Sequence, residues 1–122
     1  MHRQLCALKE IFRFVARLEE SFRNDYRITL TEALVLCSID GGCTATQRLA
    51  DEVNLSPSRL SRVLSSLEAK GLVERTRRSD DRRNWDNVPS SDGTALLERM
   101  RTDGIDVPDG VVRIIEELHQ GA

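Results

Sequence analysis

Apolar residues recur every three or four positions along most of this chain, which is the spacing of amphipathic helices. The first helix is predicted over residues 3–24, with one apolar side formed by Leu5, Leu8, Phe12, Val15, Leu18 and Phe22. A shorter apolar run predicts a helix over residues 31–40 that ends at Gly41–Gly42. Two further helices are predicted from Ser90 or Ser91 to about Thr102 and from Val111 to Leu118. The pattern therefore predicts a mainly α fold.

The segment from Thr46 to Ser65 predicts two short helices separated by a tight turn. Thr44 and Gln47 have the spacing of a capping box for the first helix. Asn54 stands at the turn, because Asn tolerates the left-handed backbone best after Gly. Ser56 is expected to cap the second helix and Pro57 to occupy its first position. One face of that helix is apolar and predicted to be buried, and it carries Leu60, Val63, Leu64 and Leu67.

The opposite face of the second helix carries hydroxyls and arginines. At the helical repeat, Ser58, Arg62 and Ser65 face away from the apolar side, with Arg59, Ser61 and Ser66 on its flanks. Arg can bond the O6 and N7 atoms of guanine, and Ser can bond bases or phosphates. No acidic residue lies between Ser56 and Leu67. The segment is typical of a helix-turn-helix whose second helix contacts DNA, and the alternative is an ordinary helical hairpin with a solvated polar face.

A small β-hairpin is predicted directly after the second helix. Residues 72–76 and 85–88 have strand character, and the charged residues 77–84 are expected to form the loop between them. Five arginines lie within this hairpin: Arg75, Arg77, Arg78, Arg82 and Arg83. A hairpin in this position is a wing, which can place Arg in the minor groove or on phosphates. The alternative is a tip that is charged only for solubility. The predicted fold is a winged helix-turn-helix.

Charge is distributed unevenly along the 122 residues. The formal net charge is only -2, but residues 56–83 contain eight Lys or Arg against four Asp or Glu. That stretch is therefore positive, whereas the remainder of the chain is negative. A basic region confined to one part of a protein is the footprint of a selective nucleic-acid binder rather than of a general coat protein.

Other classes of protein find little support in the sequence. No apolar run is long enough for a membrane span, and no signal peptide is recognisable. The three cysteines match no metal spacing, so we expect neither a metal nor a cofactor, and we expect a cytoplasmic, nucleoid-associated protein. The two histidines, His2 and His119, lie far from any Ser or Cys with the context of a nucleophile. We therefore predict no catalytic residues and no enzymatic activity.

Three stretches of the chain resemble the MarR family of winged-helix regulators, and together they cover about residues 30–97. They are L-T-E-A-L-V-L-C-S-I, then L-A-D-E-V-N-L-S-P-S-R-L-S-R-V-L-S-S-L-E-A-K-G-L-V-E-R, and D-D-R-R-N followed by S-S-D-G-T-A-L-L. The resemblance implies a homodimer that represses transcription from a pseudo-palindromic operator until a small-molecule effector binds. It also assigns DNA contacts to Ser56, Ser58, Ser61 and Arg62, a wing contact to Arg83, and bracing of the wing to Asp81.

The returning strand of the hairpin departs from the family pattern. Where the family has V-x-L-T, this chain has Asn87, Val88, Pro89 and Ser90. Because Pro89 cannot donate to a ladder of hydrogen bonds, we expect the second strand to be short or at an edge. Trp85 is expected to supply the missing apolar anchor.

The resemblance also implies that residues 1–122 form a single domain whose parts have different functions. Residues 29–93 are expected to form the DNA-binding winged-helix core, and residues 1–28 and 94–122 the dimerisation helices. The predicted dimer contacts are Leu5, Leu8, Phe12, Val111, Ile114, Ile115 and Leu118. Because the last helix is short, it must pack on something, and the alternative to a partner subunit is the core of its own chain.

Cys6 is the basis of an alternative hypothesis, that the protein is a thiol-based sensor of oxidative stress. Its place near the start of the first helix, beside Arg3, is similar to that of the cysteine in the hydroperoxide-sensing branch of the family. That branch also uses tyrosines on the following helix, and residues 31–39 contain none. A buried structural cysteine is therefore the favoured interpretation, Cys37 is expected to fill the core, and Cys43 is expected to be exposed. A winged-helix module for protein–protein contact is the other alternative.

Overall fold

Six helices and one antiparallel hairpin account for the part of the chain that the structure describes. The computed structural model describes the backbone of residues 2–78 and 81–120, and in that range the side chains of all residues except 77, 78, 81–84, 118 and 120. The elements are α1 (His2–Tyr26), α2 (Leu30–Asp40), α3 (Thr46–Glu52), α4 (Pro57–Ala69), β1 (Val73–Arg78), β2 (Asp81–Pro89), α5 (Ser91–Asp103) and α6 (Asp109–Gln120). The predicted fold class, mainly α with a hairpin in the order of a winged helix, is confirmed.

The chain divides into two compact units. One unit contains α1 and α6, which contact each other, and in it the ring of Phe22 meets that of Tyr26 edge-on with centroids 5.3 Å apart. The other unit is Ile28–Asp103, which contains α2 to α5 and the hairpin. The predicted assignment of residues 1–28 and 94–122 to dimerisation, with residues 29–93 as the core, stays a prediction.

The core of the second unit is built from one face of each helix. Its buried members are Val35, Leu36, Ile39, Leu49, Ala50, Leu60, Leu64, Leu67, Val73 and Leu97. The predicted burial of Leu60, Leu64 and Leu67 on α4 is confirmed, while Val63 is half-buried and packs against this cluster. The helical repeat therefore buries the apolar face of α4 and leaves its polar face outward.

Three consecutive helices of the second unit end in the same way, with a residue in the left-handed region. Gly42 after α2 has φ 108°, Asn54 after α3 has φ 54°, and Gly71 after α4 has φ 74°. In each case the next N–H bonds back to a carbonyl of the last turn at 3.0 Å, as in Leu72 to Leu67. This is the Schellman arrangement, which satisfies carbonyls that have no partner within the helix. The predicted helix end at Gly41–Gly42 and the predicted turn at Asn54 are confirmed.

The predicted helix starts are right at α4 and wrong at α3. Ser56 caps α4 by accepting a hydrogen bond from the N–H of Arg59 at 3.3 Å, and Pro57 is the first helical residue. At α3 the cap position belongs to Ala45, which has no side-chain bond, so the predicted box of Thr44 with Gln47 is absent. The Thr44 hydroxyl donates to Asp86 instead, at 3.5 Å.

The hairpin is longer than predicted. Because β1 continues to Arg78 and β2 begins at Asp81, residues 77, 78 and 81–84 belong to strands and the predicted loop over 77–84 is wrong. The pairing is irregular between Arg77 and Arg78. Charged side chains do not oppose pairing on a solvated two-stranded ribbon, since only backbone groups form the ladder. β1 is an edge strand, and the outer side of β2 carries an isolated bridge between Asp86 and Ala45. β2 ends at Pro89, where the missing N–H does no harm.

Helix α5 begins directly against the end of α4. The Ser90 hydroxyl donates to the carbonyl of Gly71 at 2.5 Å and accepts the N–H of Gly93 at 3.0 Å. The backbones are so close that a Cβ on Gly93 would lie 2.1 Å from the carbonyl oxygen of Leu72. Gly93 is therefore required by the close approach of α5 to the chain that leaves α4.

Candidate nucleic-acid interface

Helix α4 presents the predicted polar residues to solvent. Ser58, Arg59, Ser61, Arg62 and Ser65 are all exposed, and so is the capping residue Ser56. The hydroxyl oxygens of Ser56 and Ser58 lie 3.3 Å apart at the start of the helix. The arrangement brings hydroxyls and guanidinium groups onto one accessible helix face, with Leu60 and Leu64 fully buried behind it. Such a face has the donors needed for phosphates and for the edges of bases in a major groove.

Ser66, placed on the flank of this face by the sequence, has a different role. Its hydroxyl donates to the Oε2 atom of Glu32 at 2.7 Å, and Glu32 is only 3% exposed. Lys70, the C-terminal cap residue of α4, donates to both carboxylate oxygens at 2.8 and 3.0 Å. The carboxylate of Glu32 therefore links α4 to α2 through Ser66, at the flank of the exposed face, and through Lys70 at the end of α4.

The Glu32 carboxylate remains ionised despite its burial. Burial alone raises the pKa of Glu32, but hydrogen bonds from Lys70, from the N–H of Thr29 and from Ser66 outweigh it and lower the pKa below its usual value. Thr29 and Glu32 also form the capping box of α2. That box is visible in the sequence as Thr-x-x-Glu and was missed, whereas nothing local identifies Lys70 and Ser66 as partners.

A second polar cluster lies at the base of the hairpin, around the fully buried Asn87. Its side-chain oxygen accepts the Nε–H of Arg75 at 3.1 Å. Its side-chain nitrogen donates to the carbonyl of Thr44 at 2.9 Å and to the hydroxyl of Thr46 at 3.1 Å. The Cζ atom of Arg75 lies 5.3 Å from the centre of the Trp85 ring. Trp85 therefore supports a cation, whereas the apolar anchor predicted for it stays a prediction.

The predicted arginines of the hairpin fall into two groups. Arg75 is half-buried and held at the base by Asn87 and Trp85. Arg77, Arg78, Arg82 and Arg83 belong to the paired strands, as does Asp81, but their side chains lie outside the described part. The DNA contacts predicted for these four arginines, and the bracing role predicted for Asp81, therefore stay predictions.

The helix-turn-helix and most of the hairpin fall within a stretch that matches a known family. Residues 28–85 match the MarR family. The HTH-type transcriptional regulator YwhA of Bacillus subtilis is 37% identical over 71 residues, which are 58% of this chain and 50% of YwhA. The match thus spans half the length of that curated relative.

Solved structures extend the similarity along the whole MarR fold. Reduced AbfR bound to DNA is 25% identical with a TM-score of 0.72, over 98% of this chain and 90% of AbfR. BpsR of Bordetella bronchiseptica, solved for the regulation of its DNA binding by 6-hydroxynicotinic acid, is 21% identical with a TM-score of 0.75, over 98% of both chains. These neighbours share the arrangement of helices and hairpin described above.

The predicted dimerisation residues differ in exposure. Leu5, Leu8, Phe12 and Ile115 are exposed, with Phe12 at 74%. Ile114 is half-buried, Val111 is buried in its own chain, and the side chain of Leu118 is outside the described part. Ile105 is also exposed and Val107 half-buried. The first unit therefore carries large apolar side chains in contact with water, and their part in a dimer stays a prediction.

The cysteines are more accessible than expected. Cys6 and Cys37 are exposed, so the interpretations of Cys6 as a buried structural residue and of Cys37 as core filler are wrong. The Sγ atom of Cys6 lies 3.9 Å from Nε2 of His2. Cys43, expected to be exposed, is half-buried; burial and a hydrogen bond with Glu52 raise the pKa of its thiol. A raised pKa keeps a thiol protonated and therefore unreactive.

No group of three or more His, Cys, Asp or Glu side chains among the described residues is placed to hold a metal ion. No helix in the described part is long and apolar enough to cross a membrane.

Proposed function

We propose that this protein is a transcriptional regulator that binds double-stranded DNA through α4 and the hairpin. The observation that carries the proposal is the face of α4, where Ser58, Arg59, Ser61, Arg62 and Ser65 are all exposed on a helix whose other side is buried. The structure of reduced AbfR with DNA shows that a relative of this fold binds the same partner. The basic stretch of residues 56–83 supplies the electrostatic attraction.

The regulator is proposed to act as a homodimer on a pseudo-palindromic operator. Exposed apolar residues of α1 and α6, such as Phe12 and Ile115, support this assembly because they lose water contact only against another surface. A two-fold protein calls for two half-sites about one helical turn apart. We propose a cytoplasmic, nucleoid-associated location that follows from the DNA partner.

The proposed function also includes repression of transcription and release of the protein from DNA by a small molecule. Support comes from BpsR, whose DNA binding is regulated by 6-hydroxynicotinic acid. A ligand that prefers one conformation of the dimer would shift the two α4 helices away from the operator spacing. No cofactor and no catalytic residue form part of this proposed function.

The decisive experiment is selection of bound sequences from a random DNA pool with the purified protein. A recovered palindrome supports DNA binding, dimerism and half-site spacing together. Enrichment of no sequence, combined with no retention of DNA at moderate salt, would remove the proposal and favour the protein–protein module.

Arg62→Ala separates sequence recognition from general attraction to DNA. Because Arg62 lies on the exposed face of α4, its loss should weaken binding to the selected site by roughly tenfold or more and binding to mixed-sequence DNA much less. Arg83→Ala should weaken both and reduce the salt dependence. Fluorescence anisotropy at several salt concentrations gives these numbers, with Arg17→Ala on α1 as the control. Equal losses on both DNAs for Arg62→Ala would contradict its role.

A thiol-based sensor is a second candidate, favoured by one observation. Cys6 is exposed and lies next to the His2 ring, so an oxidant can reach its sulfur. Hydroperoxide should then release DNA from the wild-type protein and from Cys37→Ser, which removes the other exposed thiol, but not from Cys6→Ser. Release that persists in Cys6→Ser would end this candidate.

A further inference from the structure

Asn87 stands where three parts of the second unit meet. It belongs to β2, it is paired opposite Arg75 of β1, and its backbone N–H donates to the carbonyl of Thr44 at 2.9 Å. Thr44 and its neighbours form the segment that leads into α3, and an isolated bridge between Ala45 and Asp86 extends the same contact. The base of the hairpin is therefore attached to the beginning of the helix-turn-helix.

The chemistry of its partners fixes the orientation of the Asn87 side chain. Arg75 Nε carries only a donor, so the side-chain atom that faces it must be the oxygen. The Thr44 carbonyl can only accept, so the atom that faces it must be the nitrogen. Asn87 is fully buried, and with these bonds its amide has partners on both ends. An amide is the only side chain of this size that satisfies a donor on one side and two acceptors on the other.

Arg75 is in turn fixed at two points. The bond to Asn87 directs its Nε, and the ring of Trp85 lies 5.3 Å from its Cζ atom. Trp85 and Asn87 occupy alternate positions of β2 and therefore share one face of the hairpin. The bond to Asn87 uses one of the five N–H donors of the guanidinium group, which leaves four on its two terminal nitrogens.

We propose that Asn87 is a positioning residue for DNA binding, which holds the Arg75 guanidinium in a fixed orientation and sets the hairpin against the start of α3. The inference rests on the proposed function, since it assigns to Arg75 a phosphate contact made in that orientation. A planar guanidinium already held in place loses less conformational freedom when it binds a phosphate than a mobile one does. A lysine has the charge but neither the Nε–H nor the planar group.

The test compares Asn87→Ala, Arg75→Lys and the double variant in binding to the selected operator. We expect each single variant to raise the Kd about tenfold, because either change releases the same oriented group. The double variant should be no weaker than the singles, since without the amide an arginine and a lysine at position 75 become equivalent. Asn87→Ala combined with Arg62→Ala should instead show the product of the two separate losses.

Trp85 supplies a readout that needs no DNA. It is the only tryptophan in the sequence, so the emission of the protein comes from the base of the hairpin. Asn87→Ala and Arg75→Lys should both change the intensity and wavelength of that emission while the helical circular dichroism stays as in the wild type. The matched Asn24→Ala variant, on the exposed side of α1, should change neither emission nor Kd.

The outcomes separate this inference from the function on which it rests. If the wild type binds the operator and Asn87→Ala binds it equally well, the positioning role is wrong and the proposed function stands. If Arg75→Lys binds like the wild type, Arg75 supplies charge alone and the inference also fails. A wild type that binds no DNA overturns the proposed function and this inference with it. Should Asn87→Ala not fold, Thr46→Val, which removes only one partner of the amide, takes its place in the same comparison.

Discussion

Glu32 shows how a single buried charge can organise a helical protein. Its carboxylate accepts hydrogen bonds from Thr29, Ser66 and Lys70, two of which lie more than thirty residues away in the sequence. Burial disfavours the charged form, and the three donors together reverse that effect, so that the pKa of Glu32 is lowered. The charge is therefore part of the packing between α2 and α4, although the ammonium group of Lys70 remains partly exposed.

Replacing Glu32 by Gln should destabilise the fold at neutral pH by about 2 kcal/mol, because the amide leaves donors of Lys70, Ser66 or Thr29 unmatched. Urea unfolding followed by circular dichroism measures the difference. Glu68→Gln, on the exposed surface of α4, is the matched control and should change the free energy of unfolding by less than about 0.5 kcal/mol. Equal effects of the two substitutions would show that the buried carboxylate contributes nothing.

The same residue predicts how stability depends on pH. Because the pKa of Glu32 is lowered on folding, its stabilising contribution is present above the ordinary value of 4.5 and is lost as the pH falls below it. The difference between the wild type and Glu32→Gln should therefore shrink in unfolding curves recorded from pH 6 downwards. If the difference in free energy of unfolding between the two proteins stays constant across this range, the packing of the side chain and not its charge is responsible.

At the scale of the elements, the approach of α5 to the end of α4 is the tightest constraint. Gly93 has no room for a Cβ beside the Leu72 carbonyl, so this part of the backbone must move if any side chain is added. The Ser90 hydroxyl, which bonds both Gly71 and Gly93, holds the same two helix ends together.

Gly93→Ala should lower the free energy of unfolding by about 3 kcal/mol, because the clash is with backbone rather than with a flexible side chain. Gly110→Ala is the matched control on α6, where a Cβ would meet nothing within 4 Å. That control should be neutral or more stable by roughly 0.5–1 kcal/mol, since alanine favours the helix. Thermal unfolding of both variants checks the contrast, which would be refuted by similar shifts in Tm.

The local rules of helix ends made much of this fold predictable from sequence. Asn54, Ser56 and Gly71 each act within a few residues, so their roles follow from the residue type and its position. The extent of the hairpin was not predictable in this way, because residues 77, 78 and 81–84 belong to strands although their composition resembles that of a loop. The exposed face of α4 could be derived from periodicity. The bonds of Glu32 with Ser66 and Lys70, and those of Asn87 with Thr44 and Thr46, could not, because they are contacts across 34 to 43 residues.

At the scale of the whole molecule, most of the large apolar side chains that are exposed in the described residues lie in the unit of α1 and α6. Leu5, Leu8, Phe12 and Ile115 belong to the unit of α1 and α6. The second unit has an exposed leucine of its own, Leu34 on α2, at 55%. Leu34 can therefore serve as the control in a test of the proposed dimer, because it is an exposed apolar residue that lies outside α1 and α6.

Phe12→Asp should convert the proposed dimer into a monomer at micromolar concentration and raise the Kd for the operator by about a hundredfold, because a charge would have to be buried in the interface. Leu34→Asp, in the other unit, should leave the dimer intact. Sedimentation velocity at several concentrations distinguishes the two states. A Phe12→Asp protein that remains dimeric would show that α1 does not form the interface.

The contact between Thr44 and Asn87 also bears on the order in which the molecule folds. The helix ends of α2, α3 and α4 are set by local hydrogen bonds, which form on short loops. The contact from Thr44 to Asn87 spans 43 residues, and bringing its ends together in an unfolded chain has an entropic cost of about 3 kcal/mol. We therefore expect the hairpin to dock on the segment before α3 after the helices have formed, because formed helices leave less flexible chain between Thr44 and Asn87. In refolding experiments the emission of Trp85 should consequently reach its native value later than the helical signal.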